Sequence, residues 1–169
     1  QQVVVFTDTS LYAMQYLGPP FTFGIQLISE NVTIGSPLAA IPVDDQVFWM
    51  GISEFYVYNG AVQRIPCAVR DYVFDDMNTG QFDKVTAALK SENTEIWWFY
   101  PSSSSTENDR YVVYNYQEQV WYYGNLARTC WVDRGIEQYP IAAAPDNFLY
   151  TQEFGFDDGS VSPAGAITA

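Results

Sequence analysis

The feature that most constrains this chain is a pattern that recurs along it at intervals of about 45–50 residues. Each unit opens with small residues: Pro37-Leu38-Ala39-Ala40-Ile41, then Val85-Thr86-Ala87-Ala88-Leu89, then Ile141-Ala142-Ala143-Ala144. A polar turn follows each run, and then an aromatic stretch: Val47-Phe48-Trp49-Met50, Ile96-Trp97-Trp98-Phe99 and Phe148-Leu149-Tyr150. Two units continue with a third strand, Phe55–Asn59 and Tyr111–Asn115, and a fourth, Ala61–Val69 and Val120–Val132, the latter bending at Gly124. Val3–Phe6 and Leu11–Met14 match the second and third strands of one more unit. Val3 and Val47 are 44 residues apart, and Trp49 and Trp98 are 49 apart.

Four short strands per period predict an all-β chain: a β-propeller-like array of four-stranded antiparallel blades, incomplete because a ring needs at least four. The order of side chains has a physical reason in that geometry. Inner strands crowd toward an axis and favour alanine, while large rings fill the widening space between sheets. The expected units are 1–36 (a partial blade and connector), 37–80 (a blade), 81–138 (a blade with a Ser-rich insertion) and 139–169 (the start of a further blade and a tail). The chain begins inside a strand-like run, which reads as a fragment or processed piece. A β-sandwich with uneven repeats is the alternative fold. Helical periodicity is nearly absent, and the one short helix expected falls within Asp75–Lys84.

Local signals refine this picture. Asn59-Gly60 predicts a two-residue type I′ hairpin, and the corresponding turn lengthens to Asn115–Gln119 in the next unit. From Trp49 to Val57 is 8 residues, but from Trp98 to Val113 is 15. The extra length, Pro101–Asp109, has the composition of a solvated loop. Ser102, Ser103, Ser104, Ser105, Glu107, Asp109 and Arg110 are therefore the candidates for contact with another subunit or a neighbour, against a plain mobile hairpin tip.

Composition removes most catalytic chemistry. There is no histidine, so no Ser-His-Asp triad, Cys-His pair or His-ligated metal. The two cysteines, Cys67 and Cys130, read as buried free thiols, with a disulfide between them the alternative. Asp44-Asp45, Asp75-Asp76 and Asp157-Asp158 lack calcium-loop spacing and read as solvated turns. No catalytic residue, metal or cofactor is expected. No apolar run approaches the ~18 residues of a membrane-spanning helix, and no membrane partner is expected. Net charge is −13, with lysine and arginine scattered at 64, 70, 84, 90, 110, 128 and 134, which makes no phosphate-binding patch.

Glu95-Ile96-Trp97-Trp98-Phe99-Tyr100-Pro101-Ser102, then Glu107–Tyr116, Trp121-Tyr122-Tyr123-Gly124 and Ala127-Arg128-Thr129, resembles the tail nozzle proteins of short-tailed phages. These are also called packaged-DNA stabilisation proteins, tail accessory factors or tail tubular protein B. The resemblance is densest over 80–135. It implies a structural virion protein of the tail, assembled in the host cytoplasm as a ring of its own copies, a hexamer, below portal and adaptor proteins. Double-stranded DNA would be retained by the bore and later pass through it without specific binding. An acidic wall would suit such passage, although acidic charge also keeps an aromatic-rich protein soluble. A carbohydrate-binding propeller for a host-surface glycan is the alternative, and a two-carboxylate glycoside hydrolase is a third class.

Overall fold

The computed structural model describes residues 2–154 and is all-β, with four antiparallel sheets in chain order. Sheet 1 contains β1 (Gln2–Phe6), β2 (Ser10–Tyr16) and β3 (Phe23–Glu30). Sheet 2 contains β4 (Ala40–Val43), β5 (Gln46–Met50), β6 (Phe55–Tyr58) and β7 (Val62–Ile65). Sheet 3 contains β8 (Thr86–Lys90), β9 (Glu95–Tyr100), β10 (Arg110–Asn115) and β11 (Val120–Asn125). Sheet 4 contains β12 (Cys130–Val132), β13 (Ile141–Ala143) and β14 (Leu149–Thr151). Within each sheet, consecutive strands are neighbours.

The sheets stack face to face in sequence, because alternation sends successive side chains to opposite faces. On β5, Trp49 faces the core shared with sheet 1, beside Leu11 and Val32, while Phe48 and Met50 face the core shared with sheet 3. On β9, Ile96, Trp98 and Tyr100 face sheet 2, while Trp97 and Phe99 meet Trp131 of sheet 4. All six residues of β9 are buried, which is why this strand reads as an unbroken apolar run.

The gap between sheets 2 and 3 is unequal. At one end β8 meets the residues just before β4, the Ala87 N–H donating to the Leu38 carbonyl at 2.8 Å. Away from that end, helix α1 (Arg70–Asp75) and the segment after it fill the space. Val73 and Met77 join the core there, Phe74 packs on Phe55 at 5.4 Å, and Tyr72 lies 4.1 Å from Tyr123. The next pair of sheets also touches at its first strands, the Thr86 hydroxyl donating to the Thr129 carbonyl at 3.3 Å.

Several expectations need correcting. The stretch Val120–Val132 is two strands in two sheets, not one bent strand. Its glycine marks no bend: Gly124 sits opposite Tyr111, and a Cβ there would strike the Tyr111 ring. The run Ile141–Ala143 is the middle strand of its sheet, with β12 paired outside it. The helix covers Arg70–Asp75, and Thr79–Lys84 forms 3₁₀ turns. The Asn59-Gly60 hairpin has a three-residue loop, since Tyr58 pairs with Val62, and of the two only Gly60 has positive φ (103°). Asp157, Asp158 and Gly159 lie outside the described residues. Among the described residues, no helix is long and apolar enough to cross a membrane.

Trp98 is fully buried and donates its indole N–H to the Ala39 carbonyl at 2.9 Å. Trp98→Ala is expected to cost about 3–5 kcal/mol in urea unfolding. Trp98→Phe keeps most of the ring area and removes the indole donor, while the Ala39 carbonyl keeps the Met50 N–H at 3.2 Å, and it should cost about 0.5–1.5 kcal/mol.

Candidate functional site

The Ser-rich insertion is a braced loop, not a mobile tip. Asp109 organises it: its Oδ1 accepts the Ser102 backbone N–H and its Oδ2 accepts the Ser102 hydroxyl, both at 2.7 Å. Ser102 is buried, and it forms a bridge with Met77 in the segment after α1. That segment grips the loop from the other side. The Asn78 N–H donates to the Pro101 carbonyl at 3.0 Å, and the Asn78 amide to the Ser105 carbonyl at 2.8 Å. Lys84 Nζ donates to the Thr106 carbonyl at 2.7 Å and pairs with Glu107. Asn108 is buried and donates to the Lys84 carbonyl at 2.8 Å.

The proposed contact residues therefore divide. Ser102, Asp109 and Arg110 are internal anchors; Arg110 pairs with Asp76 at 3.4 Å and bonds Asn125. Ser105 turns its hydroxyl onto the Glu107 carbonyl at 2.6 Å. Ser103, whose hydroxyl reaches Asp76 at 3.3 Å, Ser104 and Glu107 are exposed and form the outward surface. The anchors Asp76, Asn78, Lys84 and Asn108 escaped sequence reading. The Asn-Thr-Gly turn at Asn78, whose side chain caps the Gly80 N–H at 3.1 Å, was their one local signal.

Asp109 also borders a cleft of about 420 Å³ between sheets 3 and 4, together with Asn125, Arg128, Asp146 and Tyr150. Arg128 is buried and lies 4.7 Å over the Tyr150 ring. Tyr150 donates its hydroxyl to Asp146, which also accepts the Phe148 N–H at 3.0 Å. These bonds hold the Asp146 carboxyl below its usual range. A glycosidic general acid needs the reverse, a carboxyl kept protonated near neutrality. Both carboxylates that border this cleft accept hydrogen bonds, Asp109 from Ser102 and Asp146 from Tyr150 and Phe148.

A second polar cluster sits where β8 and β9 begin their pairing. Lys90 and Glu95 are cross-strand partners, and both are buried. Lys90 pairs with Glu153 at 2.8 Å, and Glu95 accepts the Trp97 indole N–H at 2.9 Å. Burial and the Glu95 carboxylate together push the Tyr122 hydroxyl upward. Every charge here has a partner, as a buried ion pair requires. Among the described residues, no group of three or more His, Cys, Asp or Glu side chains could hold a metal ion.

Positive charge is consumed internally. Among the described residues, five of the seven Lys and Arg side chains form ion pairs with acids, and Arg128 is buried. Both cysteines are free, and the expectation of two buried thiols fails at Cys130, which is exposed at the outer face of β12. Burial pushes the Cys67 thiol up to about 11.

No family model matches the chain, and no curated protein matches it either.

Asp109→Ala leaves the buried Ser102 donors without acceptors, so it should destabilise the fold by about 1–3 kcal/mol in urea unfolding. Serine at position 103 or 104 replaced by alanine should stay within about 0.5 kcal/mol. At pH 8 only about 0.1% of Cys67 is thiolate. A chromogenic disulfide reagent should therefore label one thiol per chain, Cys130, and the second only after denaturation.

Proposed function

We propose that the four sheets are successive blades of a β-propeller-like arc, and that the chain is a structural wall component of a phage tail nozzle or head-completion ring. The observation that carries the fold reading is the unequal gap between sheets. The residues entering the first strands of sheets 2 and 4 bond β8, while between sheets 2 and 3 a helix and large rings occupy the space further out, as sheets fanned about an axis require. A sandwich would instead leave two flat layers ≈10 Å apart.

The role follows from what surrounds this arc. The motif that resembles nozzle proteins is the core of sheet 3, so the resemblance lies in packing, not in chemistry. The ring of copies, its portal and adaptor neighbours, and its place in the virion tail are what that resemblance adds. The charge distribution supports passage of DNA without grip. Binding duplex phosphates takes several free Lys and Arg side chains, and here most are paired within a chain of net charge −13. The work of such a part is mechanical: a stiff wall repelling the polymer it encloses.

The cleft beside Tyr150 favours a second reading, a module that stacks a glycan ring on tyrosine beside Arg128 and Asp146. A glycan array separates the two, since a nozzle gives no hits.

Antibody to the chain should label the tail of virions encoded by the same genome, and the purified protein should show no salt-sensitive retention of duplex DNA. Absence from purified particles, or binding whose affinity falls steeply with salt, would overturn the reading.

A further inference from the structure

We infer that copies of this chain associate head to tail, the outer face of sheet 1 in one copy seating on the outer face of sheet 4 in the next. The inference rests on the ring reading only in taking the chain to self-assemble.

Sheet 1 has two apolar faces, and one of them is bare. Val4, Phe6, Leu11 and Ile28 pack toward sheet 2. On the opposite face, the cross-strand rows Val3–Met14–Ile25 and Val5–Tyr12–Leu27 contain no polar side chain but the tyrosine hydroxyl. Tyr16 and Phe23 extend this face, edge to face at 5.8 Å. Ile25 is 72% exposed, Tyr16 65% and Phe23 60%. An antiparallel sheet that faces water alternates apolar and polar. This one does not, and a contiguous apolar patch of this kind marks an interaction surface.

The other end of the row matches it. Trp131 and Ala142 face sheet 3, so alternation turns Cys130, Val132, Ile141, Ala143, Leu149 and one polar residue, Thr151, outward, with Val132 64% and Leu149 74% exposed. This face is shallow where that of sheet 1 is bulky. The same pairing of large against small occurs inside the row, where Trp98 meets Ala39 and Trp97 and Trp131 share a core with Ala88.

Electrostatics selects these faces. Copies carrying −13 repel one another. Yet β1, β2, β12, β13 and β14 contain no charged residue, and β3 has one, at its end. Covering the exposed side chains of sheet 1 would remove on the order of 600 Å² from one partner, so about 1,200 Å² in all, the lower limit of a stable interface. Joining unlike faces makes a heterologous contact, which closes into rings when the rotation permits.

Sedimentation equilibrium tests this with wild type, Ile25→Glu and Leu149→Glu. Both positions are more than two-thirds exposed, so neither charge enters a core; near-UV circular dichroism checks the fold, and Tyr16→Lys and Val132→Lys repeat the test. Wild type should exceed the 19.1 kDa monomer. Each variant alone should lose self-association roughly 100-fold or more, because a charge would be buried at the contact. An equimolar mixture of the two should regain a two-chain species, as each retains one good face and the faces differ. A Leu149→Glu variant that still self-associates while Ile25→Glu does not would show that sheet 1 pairs with itself and would overturn the inference. Wild type assembled with both variants equally assembled would overturn this interface and leave the ring reading intact. A monomeric wild type at the highest soluble concentration would overturn both.

Discussion

The structure depends on a single repeated interaction: a tryptophan indole N–H reaching across a sheet boundary to a backbone carbonyl. Trp49 donates to Thr33 at 3.1 Å, Trp98 to Ala39 at 2.9 Å, Trp121 to Pro66 at 2.9 Å and Trp131 to Leu89 at 3.2 Å. Each bond joins a strand to the preceding sheet or to the segment leading from it. Apolar area alone would let sheets slide, since the hydrophobic effect has no direction. The Trp98 bond is fully buried, those of Trp49 and Trp131 partly so and that of Trp121 exposed, so the cost of about 1–3 kcal/mol for a buried N–H without its acceptor falls mainly on Trp98. The ring therefore supplies the stacking energy and the N–H sets the position at which it is collected. The fifth tryptophan, Trp97, bonds Glu95 within its own strand and stacks on Trp131 at 5.9 Å, which continues the contact into sheet 4.

From that constraint the rest follows in order. Sheets 2 and 3, close at their first strands and propped apart further out, leave a wedge, and α1 with the segment after it fills that wedge. Asp109, Asn78 and Lys84 satisfy the loop's backbone groups where a longer hairpin would otherwise expose them. At the opposite end of β9, Lys90 and Glu95 instead bond other side chains, Glu153 and the Trp97 indole. Polar chemistry around β9 is thus spent on holding loop and strands in place.

Much of this was legible before any coordinates. Aromatics on both parities of Glu95–Tyr100 required burial on both faces, and the small-then-aromatic order located β4, β5, β8 and β9. The third strand of each full sheet was equally clear. What escaped was non-local. Nothing in Val120–Val132 announces that the chain changes sheets after Asn125, because the β propensity on either side is alike. The glycine within it marks a close approach by Tyr111, a contact set by the partner strand. Serine composition said loop, but the anchors that immobilise it lie some 20–30 residues earlier. Cys130 read as buried because its neighbours are apolar, whereas alternation places it opposite Trp131 on the bare face of β12.

Exchange of the indole N–H protons, followed by two-dimensional NMR on protein with labelled tryptophan, tests the locking of sheet to sheet most directly. The Trp98 proton, in a fully buried bond, should exchange only through an opening whose free energy equals that of global unfolding, with Trp49 and Trp131 slower than the Trp121 proton, whose bond lies at the surface. Rapid exchange of the Trp98 proton in the folded protein would mean that sheets 2 and 3 move independently and that the wedge is not a rigid unit.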